Sequence, residues 1–344
     1  MLSILSRSRV APLGADGLAI RLVPRARRVS EGWGAHSTLD KVIPVADSPA
    51  RSNLAALSDQ LADAVAKAGA ALVAVHARPR LPSTGIHWKD GVIVTTDGTI
   101  RQDEIAVTLP DGKRIPAKLA GRDRGTDLAV LRVPAGSLAV ADVGDPASLR
   151  PGNLVLALAR LDDGGARAAF GAVSATGGKW RSWKGGEIDR WLQSDLTIYP
   201  GFGGGPLVDA GGKVHGVNSG ALSRPFATTI TAGTVHRVVT QLLERGYVAR
   251  GWIGAAMQPV RLDMEAGFGL LIVSVEPDAP AAKAGLLLGD VLIAVDGKRL
   301  ESFDQLLDIV GSEAVGKRVK IEIVRGGSKR TVDLEIGERP RRTR

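Results

Sequence analysis

Between Ala71 and Thr231 the chain breaks into a long series of short apolar runs separated by turn residues. ALVAVHA, GVIVTT, EIAVTL, RIPAKLAG and DLAVLRV come first; NLVLALA, AFGAVSAT, RWLQSDL, GPLVD, KVHGVNS and FATTIT follow. The runs are too short for helices and rich in β-branched residues, so they predict strands. Asp90–Gly91, Asp97–Gly98 and Asp111–Gly112 are hairpin or turn signals between them. The abundance of glycine, 43 residues, fits the same β bias. Two sets of about six strands predict two β-barrels, over about residues 69–150 and 151–231.

Both flanks change period. Leu57, Leu61 and Val65 share one face and predict a helix over Leu54–Ala68, capped by Ser52 or Asn53. After the last strand, Val235, Val238, Val239, Leu242 and Leu243 line the apolar face of an exit helix over 232–246. From Gly251, strands in GWIGAAMQ, GLLIVSV, DVLIAVDG, RVKIEIVR and KRTVDLEI surround helical stretches near APAAKAG and FDQLLDIVG. The organisation read from this is a basic, mostly unstructured arm (1–50), a double β-barrel unit (51–248), an α+β module (249–337) and a basic tail (338–344). The fold class is therefore mainly β with an α+β appendage.

Length and composition bound the chemistry. A chain of 344 residues suits two or three compact units. The absence of Cys excludes disulfides, thiolate nucleophiles and Cys-based zinc sites. No cofactor or metal site is expected. The net charge of +9 is diffuse and heaviest at the two ends; it reads as solvated surface charge, and a nucleic-acid partner is not expected. The opening run MLSIL is shorter than the roughly 7–15 apolar residues of a signal peptide or the roughly 20 of a membrane span. A cytoplasmic location follows as the expectation, or a periplasmic one if the true start lies upstream.

Three stretches carry a family resemblance: TDLAV at Thr126–Val130, QSDLTIYPGFGGGPLVD at Gln193–Asp209, and the passage from the exit helix through QLLERGYVARGWIGAAMQ. In this order they resemble the HtrA-type serine proteases, which join a chymotrypsin-like double β-barrel to a circularly permuted PDZ domain. In that family a Ser attacks the peptide carbonyl, a His takes its proton, and a buried Asp fixes the His. The resemblance assigns the aspartate role to Asp127. It puts Gly203 where the nucleophilic Ser belongs and Gly98 where the His belongs. Backbone amides of Gly201 and Gly203 match the family's oxyanion donors. Two fates stay open for this loop: the amides persist as a site for a carboxylate or carbonyl, or the glycine run collapses.

The predicted activity is therefore that of a pseudoprotease. The expected role of Asp127 is to accept backbone N–H bonds at the turn before LAVLRV. The alternative is an active serine endopeptidase with relocated residues. Ser194, Ser219, His36, His76, His87, His215 and His236 are the groups available to it, and each reads as packed or solvent-facing. The loop Gly177–Trp191 corresponds to the family's sensor loop; its Lys179, Trp180, Arg181, Trp183 and Lys184 read either as a partner surface or as a cover for the barrel. In the PDZ module, Trp252, Ile253, Gly254 and Ala255 correspond to the carboxylate-binding loop. Ala256 and Met257 begin the peptide-pairing strand, and Leu306, Leu307 and Val310 are the candidate opposite wall. The implied partners are protein C-termini or unfolded polypeptides, with assembly as a homo-oligomer or with an active paralogue. The implied function is that of an adaptor, holdase or regulator in protein quality control.

Overall fold

The computed structural model describes residues 49–340, apart from 135, 137, 163–164, 223–226 and 263–266. The expected N-terminal arm with His36, apart from its last two residues, and the end of the basic tail lie outside the described residues. The first helix, α1 (Pro49–Gly69), begins earlier than its apolar spacing predicts. Ser52 and Asn53 therefore fall inside it rather than capping it. Its buried Ala64 and Ala68, with partly buried Leu61 and Val65, join the main core.

The first barrel consists of β1 (Leu72–His76), β2 (Ser83–Lys89), β3 (Val92–Thr96), β4 (Ile105–Thr108), β5 (Arg114–Asp123) and β6 (Leu128–Arg132). It closes antiparallel in the order β1-β2-β3-β6-β5-β4. The strand missing from the predicted runs is β2, whose STGIHWK shows no apolar alternation. Gly85 explains part of that: a Cβ there would stand 2.6 Å from Ile93 Cγ2 and 2.8 Å from Val75 Cγ2. Gly91 and Gly112 turn the chain at left-handed φ values of 67° and 83°. Asp97–Gly98 differs from the hairpin reading. It opens a 3₁₀ turn, Asp97–Thr99, because β3 pairs with β6 and not with the next strand.

The second barrel consists of β7 (Leu154–Arg160), β8 (Ala166–Gly177), β9 (Trp191–Ser194), β10 (Pro206–Asp209), β11 (Val214–Ser219) and β12 (Ala227–Thr231). It closes in the order β9-β12-β11-β10-β7-β8. The exit helix α2 (Ala232–Arg245) stops at Gly246, whose φ of 78° gives the left-handed C-terminal cap. Val235, Val238, Val239 and Leu242 are buried, and Leu243 is partly buried against the same core, which draws on both barrels.

Gly251–Trp252 pairs with Gly337–Glu338, closing the last module's entry against its exit. Between them lie β13 (Ala255–Arg261), β14 (Phe268–Val275), α3 (Pro280–Lys283), β15 (Val291–Val295), α4 (Phe303–Ile309), β16 (Arg318–Arg325) and β17 (Ser328–Glu335). The sheet runs β13-β14-β15-β16-β17, with Lys298–Arg299 folding back on β15. Its separate core centres on Leu270, Ile272, Leu292, Ile321, Ile323 and Leu334. Among the described residues no helix is long and apolar enough to cross a membrane.

Candidate active-site cleft

The site lies where the barrels meet, and two short turns of the first barrel build one side of it. Arg122 clamps the 97–99 turn: its Nε bonds the Asp97 carboxylate and its Nη2 reaches the carbonyls of Asp97 (3.2 Å) and Ile100 (3.4 Å). The second turn runs from Asp123 to Asp127. The Asp123 carboxylate accepts from the Thr126 amide (3.0 Å), the Thr126 hydroxyl (2.8 Å) and Arg250 Nη2 (2.9 Å). That tight turn leaves Asp127 at a left-handed φ of 56°, a backbone state that favours Asp and Asn among side-chain-bearing residues.

Asp127 is almost fully buried, at 1% exposure. Its Oδ1 accepts the Gly98 amide at 2.9 Å, and its Oδ2 accepts the Ser219 hydroxyl at 2.6 Å. Burial pushes its carboxyl above the ordinary value of 3.8; the bonds from Ser219 and Gly98 offset only part of that. The Gly98 amide belongs to the 97–99 turn; in the turn before LAVLRV, Asp123 rather than Asp127 accepts the backbone N–H bonds. Ser219 is the functional contact that the sequence reading missed. It ends β11, 92 positions from its partner, and no local pattern links the two.

The nucleophile-type loop forms the facing wall. Thr84 reaches across from the first barrel, its amide donating to the Gly203 carbonyl (3.3 Å) and its hydroxyl to the Gly201 carbonyl (2.8 Å). The Gly204 amide donates to the Asn218 carbonyl at 2.9 Å, and Asn218 returns a bond to the Gly205 carbonyl at 2.8 Å. Phe202 is buried in the second-barrel core and meets Tyr199 edge-on at 5.8 Å. The amides of Gly201 and Gly203 donate to no acceptor among the described residues.

The four loop glycines are not equivalent. Gly201 (φ 95°) and Gly204 (φ 87°) are left-handed, and a Cβ on Gly205 would stand 2.0 Å from the Leu158 carbonyl oxygen. Gly203 has no such strain, and a Cβ on it would make an ordinary 3.7 Å contact with Thr96 Oγ1. A Cβ on Gly98 would lie 3.3 Å from Asp127 Oδ1, close enough that the neighbour must give slightly. Asp127 and Gly203 thus both adjoin one short stretch of chain, Thr96–Gly98, the first at Gly98 and the second at Thr96. Gly203 is the position in its loop where a side chain fits.

The other candidates lie elsewhere. Ser194 is buried with no partner for its hydroxyl among the described residues. His76 Nε2 is bonded to Thr108 (2.9 Å) and lies 2.8 Å from Asp162, His87 Nδ1 meets the Ala139 carbonyl (2.9 Å), and His215 Nε2 meets Asp209 (2.9 Å). His236 is on the exposed side of α2. Among the described residues, no His ring is bonded to a Ser. No cluster of His, Asp and Glu among them is able to hold a metal ion.

The sensor-type loop covers the barrel and reaches the PDZ module. Trp180 packs partly against the core, and the Ser182 hydroxyl donates to the Gly125 carbonyl at 2.6 Å, bracing the Asp127 turn. Arg181 Nη2 bonds Glu187 (3.0 Å), Asp308 (2.7 Å) and the Leu307 carbonyl (2.8 Å), and Lys179 pairs with the same two carboxylates. Trp183 stays exposed, its indole N–H donating to the Ala221 carbonyl at 3.1 Å. Lys179 and Arg181 are thus spent on carboxylates, while Lys184 stands 5.0 Å from the centre of the exposed Trp183 ring.

In the PDZ module, Ile253 is buried and Gly254 adopts a φ of 74°, where a Cβ would stand 2.1 Å from the Ala279 side chain. Trp252 lies in the short strand just before it. Ala255, Ala256 and Met257 begin β13, an edge strand paired only with β14. The predicted opposite wall divides. Leu306 is a core residue at 2% exposure. Leu307 and Val310 line a cavity of about 170 Å³ together with Arg181, Glu187 and Arg237 of the barrel unit.

Comparisons with known proteins fit this geometry. A family model for the trypsin-like peptidase domain matches residues 83–217, and one for the PDZ domain matches residues 251–336. A protein of Pseudomonas fulva named as a probable periplasmic serine endoprotease, DegP-like, is 36% identical over 264 residues, covering 73% of this chain and 54% of the relative. A protein of the same name from Brucella suis is 34% identical over 280 residues, covering 77% of this chain and 54% of the relative. The chain thus spans about half the length of the curated relatives it matches. Among solved structures, the HtrA-type protease AlgW with decapeptide aligns with a TM-score of 0.70 at 27% identity, covering 82% of this chain and 99% of that one. The serine endoprotease from Yersinia pestis aligns with a TM-score of 0.69 at 29% identity, covering 82% and 98%.

Fold and matches together define a trypsin-like double barrel joined to a PDZ domain. The chain belongs to the HtrA/DegP type.

Proposed function

We propose that this HtrA/DegP-type chain binds polypeptides without cleaving them, as an adaptor, holdase or regulator working through its PDZ groove. The observation that carries the reading is a pair of glycines: Gly98 offers the buried Asp127 only an amide, and Gly203, facing Thr96, has room for a side chain and carries none. A nucleophile and a base act as a unit, and loss of either costs on the order of 10⁶ in turnover in the serine protease where it has been dissected. The edge strand β13, beginning at Ala255, supports peptide capture by strand addition, with the amides of Ile253–Ala255 as the carboxylate donors. The reading takes the chain to be periplasmic. The relatives' names support that rather than the cytoplasmic location expected from the opening residues. Assembly as a homo-oligomer or with an active paralogue belongs to the same proposal.

The relatives' names favour the second reading, an active serine endopeptidase. Against it stands the absence of any Ser–His hydrogen bond among the described residues. Purified protein should take up no fluorophosphonate and release no fragments from unfolded casein. Labelling that disappears when one serine, Ser219 or Ser194, is changed to Ala would overturn the proposal and establish the endopeptidase.

A further inference from the structure

A cleft of about 1120 Å³ on the first barrel is lined by Arg78, Arg80 and Arg114, with His76 beside them. Arg101 stands within electrostatic reach of Arg78. Among the described residues, no carboxylate lies within ion-pairing distance of any of these four arginines. Arg78 is fixed without being neutralised: its guanidinium donates to the carbonyls of Leu81 (2.7 Å) and Pro82 (3.2 Å). Burial first, and then the charge of Arg101, hold its pKa below the ordinary value. Arg80 sits at a φ of 74°, a backbone state that side-chain-bearing residues rarely adopt. The carboxylates in the lining are Asp103 and Glu104, both exposed, so within it three arginines face two anions, with Arg101 close by. His76 is closed off by Asp162 at 2.8 Å.

Two chain segments tie the residues of this cleft to the candidate active site. The Arg101 and Gln102 amides both donate to the Ala77 carbonyl, at 2.7 and 3.0 Å, joining the segment that follows Gly98 to the one that precedes β2. Two residues beyond Pro82, Thr84 holds the Gly203 loop. Arg101 thus lies a few residues along the chain from Gly98, and Arg78 and Arg80 a few from the Thr84 that holds the Gly203 loop. Guanidinium groups suit carboxylates because two parallel N–H bonds match two oxygens. The described lining has no Phe, Tyr or Trp on which a base would stack, so the chemistry favours side-chain carboxylates over a single-stranded nucleic acid.

We infer that this cleft binds acidic segments of unfolded polypeptides, and so selects Asp- and Glu-rich clients for the binding activity proposed above, on which the inference rests. The test uses the whole chain and two fluorescein-labelled, unstructured peptides of equal length with amidated ends: one rich in Glu, the other with every Glu replaced by Gln. Anisotropy should show the Glu peptide binding about tenfold tighter at low salt, with the advantage lost at high salt. The triple variant Arg80→Gln, Arg101→Gln, Arg114→Gln should abolish that advantage, and the matching triple Lys variant should keep it, which separates charge from folding. A third peptide, with a free apolar C-terminus, should bind the PDZ domain equally in all three proteins. Failure of that arm alone counts against the PDZ reading and leaves the cleft standing. Equal binding of the Glu and Gln peptides, an advantage that survives the Gln variant, or displacement of the Glu peptide by a single-stranded oligonucleotide at lower concentration overturns the inference.

Discussion

Asp127 in the barrel cleft and Asp290 in the PDZ module are equally buried, each at 1% exposure, but their partners are opposite in kind. Asp290 receives two charged bonds from Arg325, both 2.7 Å, and the Leu287 amide at 2.8 Å. Burial pushes its carboxyl up, but Arg325 and the amide outweigh it, and the net shift is downward. Asp127 receives only neutral donors, a hydroxyl and an amide, and its net shift is upward. A carboxylate that merely stitches a fold together is best served by a cation. A buried carboxylate left with neutral donors is an incomplete pair, and in the trypsin-like framework an imidazolium completes it.

That contrast is broken most severely by restoring the missing groups. Gly98→His with Gly203→Ser should bring back fluorophosphonate labelling, with neither single variant labelled above the native protein. The expected recovery is several orders of magnitude, since the two groups work together. The geometry favours it: neither glycine is left-handed, and the two added Cβ atoms meet their nearest neighbours at 3.3 and 3.7 Å. A double variant that folds and stays unlabelled would mean that the Gly201 and Gly203 amides are not aimed at a common point.

The PDZ groove sharpens the same comparison, because there a ligand carboxylate is to be held by neutral amides, as Gly98 holds Asp127. Amidating the C-terminus of a bound peptide should weaken it by about 1.5–3 kcal/mol, read by calorimetry on the whole chain. Equal affinities for the free and amidated peptides would remove the carboxylate role from Ile253, Gly254 and Ala255.

The sequence carried the architecture further than the site. Eleven barrel strands were legible because apolar runs and Gly turns are local signals. The strand β2 gives no apolar run, although His87 reads as lying on an early strand, since Gly85 and its polar neighbours answer to packing against Ile93 and Val75 across the barrel. Asp127, Gly98 and Gly203 were legible through motifs that resemble the family's. The bond from Ser219, the bracing of Gly125 by Ser182 and the Arg181–Asp308 link join residues 57 to 127 positions apart, and nothing local marks them. The same holds for α4: periodicity marks Leu306, Leu307 and Val310 as apolar, but whether each faces the core or the barrel depends on how the units meet. The competing fates of the glycine loop were also undecidable from composition, because GFGGG reads as uniform freedom, whereas in the fold Gly201, Gly203, Gly204 and Gly205 have four different surroundings.

The smallest effect expected is also the most direct reading of the two aspartates. A carboxyl whose folded pKa is raised binds its proton more tightly in the folded state. Its contribution to stability is therefore most favourable below the ordinary value of 3.8 and declines as pH rises through the folded pKa. A carboxyl whose folded pKa is depressed contributes fully above 3.8 and loses that contribution as pH falls through its folded pKa. Native protein should thus gain stability over Asp127→Asn on acidification, and lose stability relative to Asp290→Asn over the acid range below. The measurement is chemical unfolding followed by tryptophan fluorescence across acid to neutral pH, each variant differenced against the native chain so that other titrating groups cancel. Trp252 reports the PDZ side and Trp88 and Trp180 the barrels, so the two slopes can be assigned if the units unfold separately. Two slopes of the same sign would mean that Asp127 has a cationic partner after all; Lys184, whose charge already acts to lower the Asp127 pKa, is the group to change next.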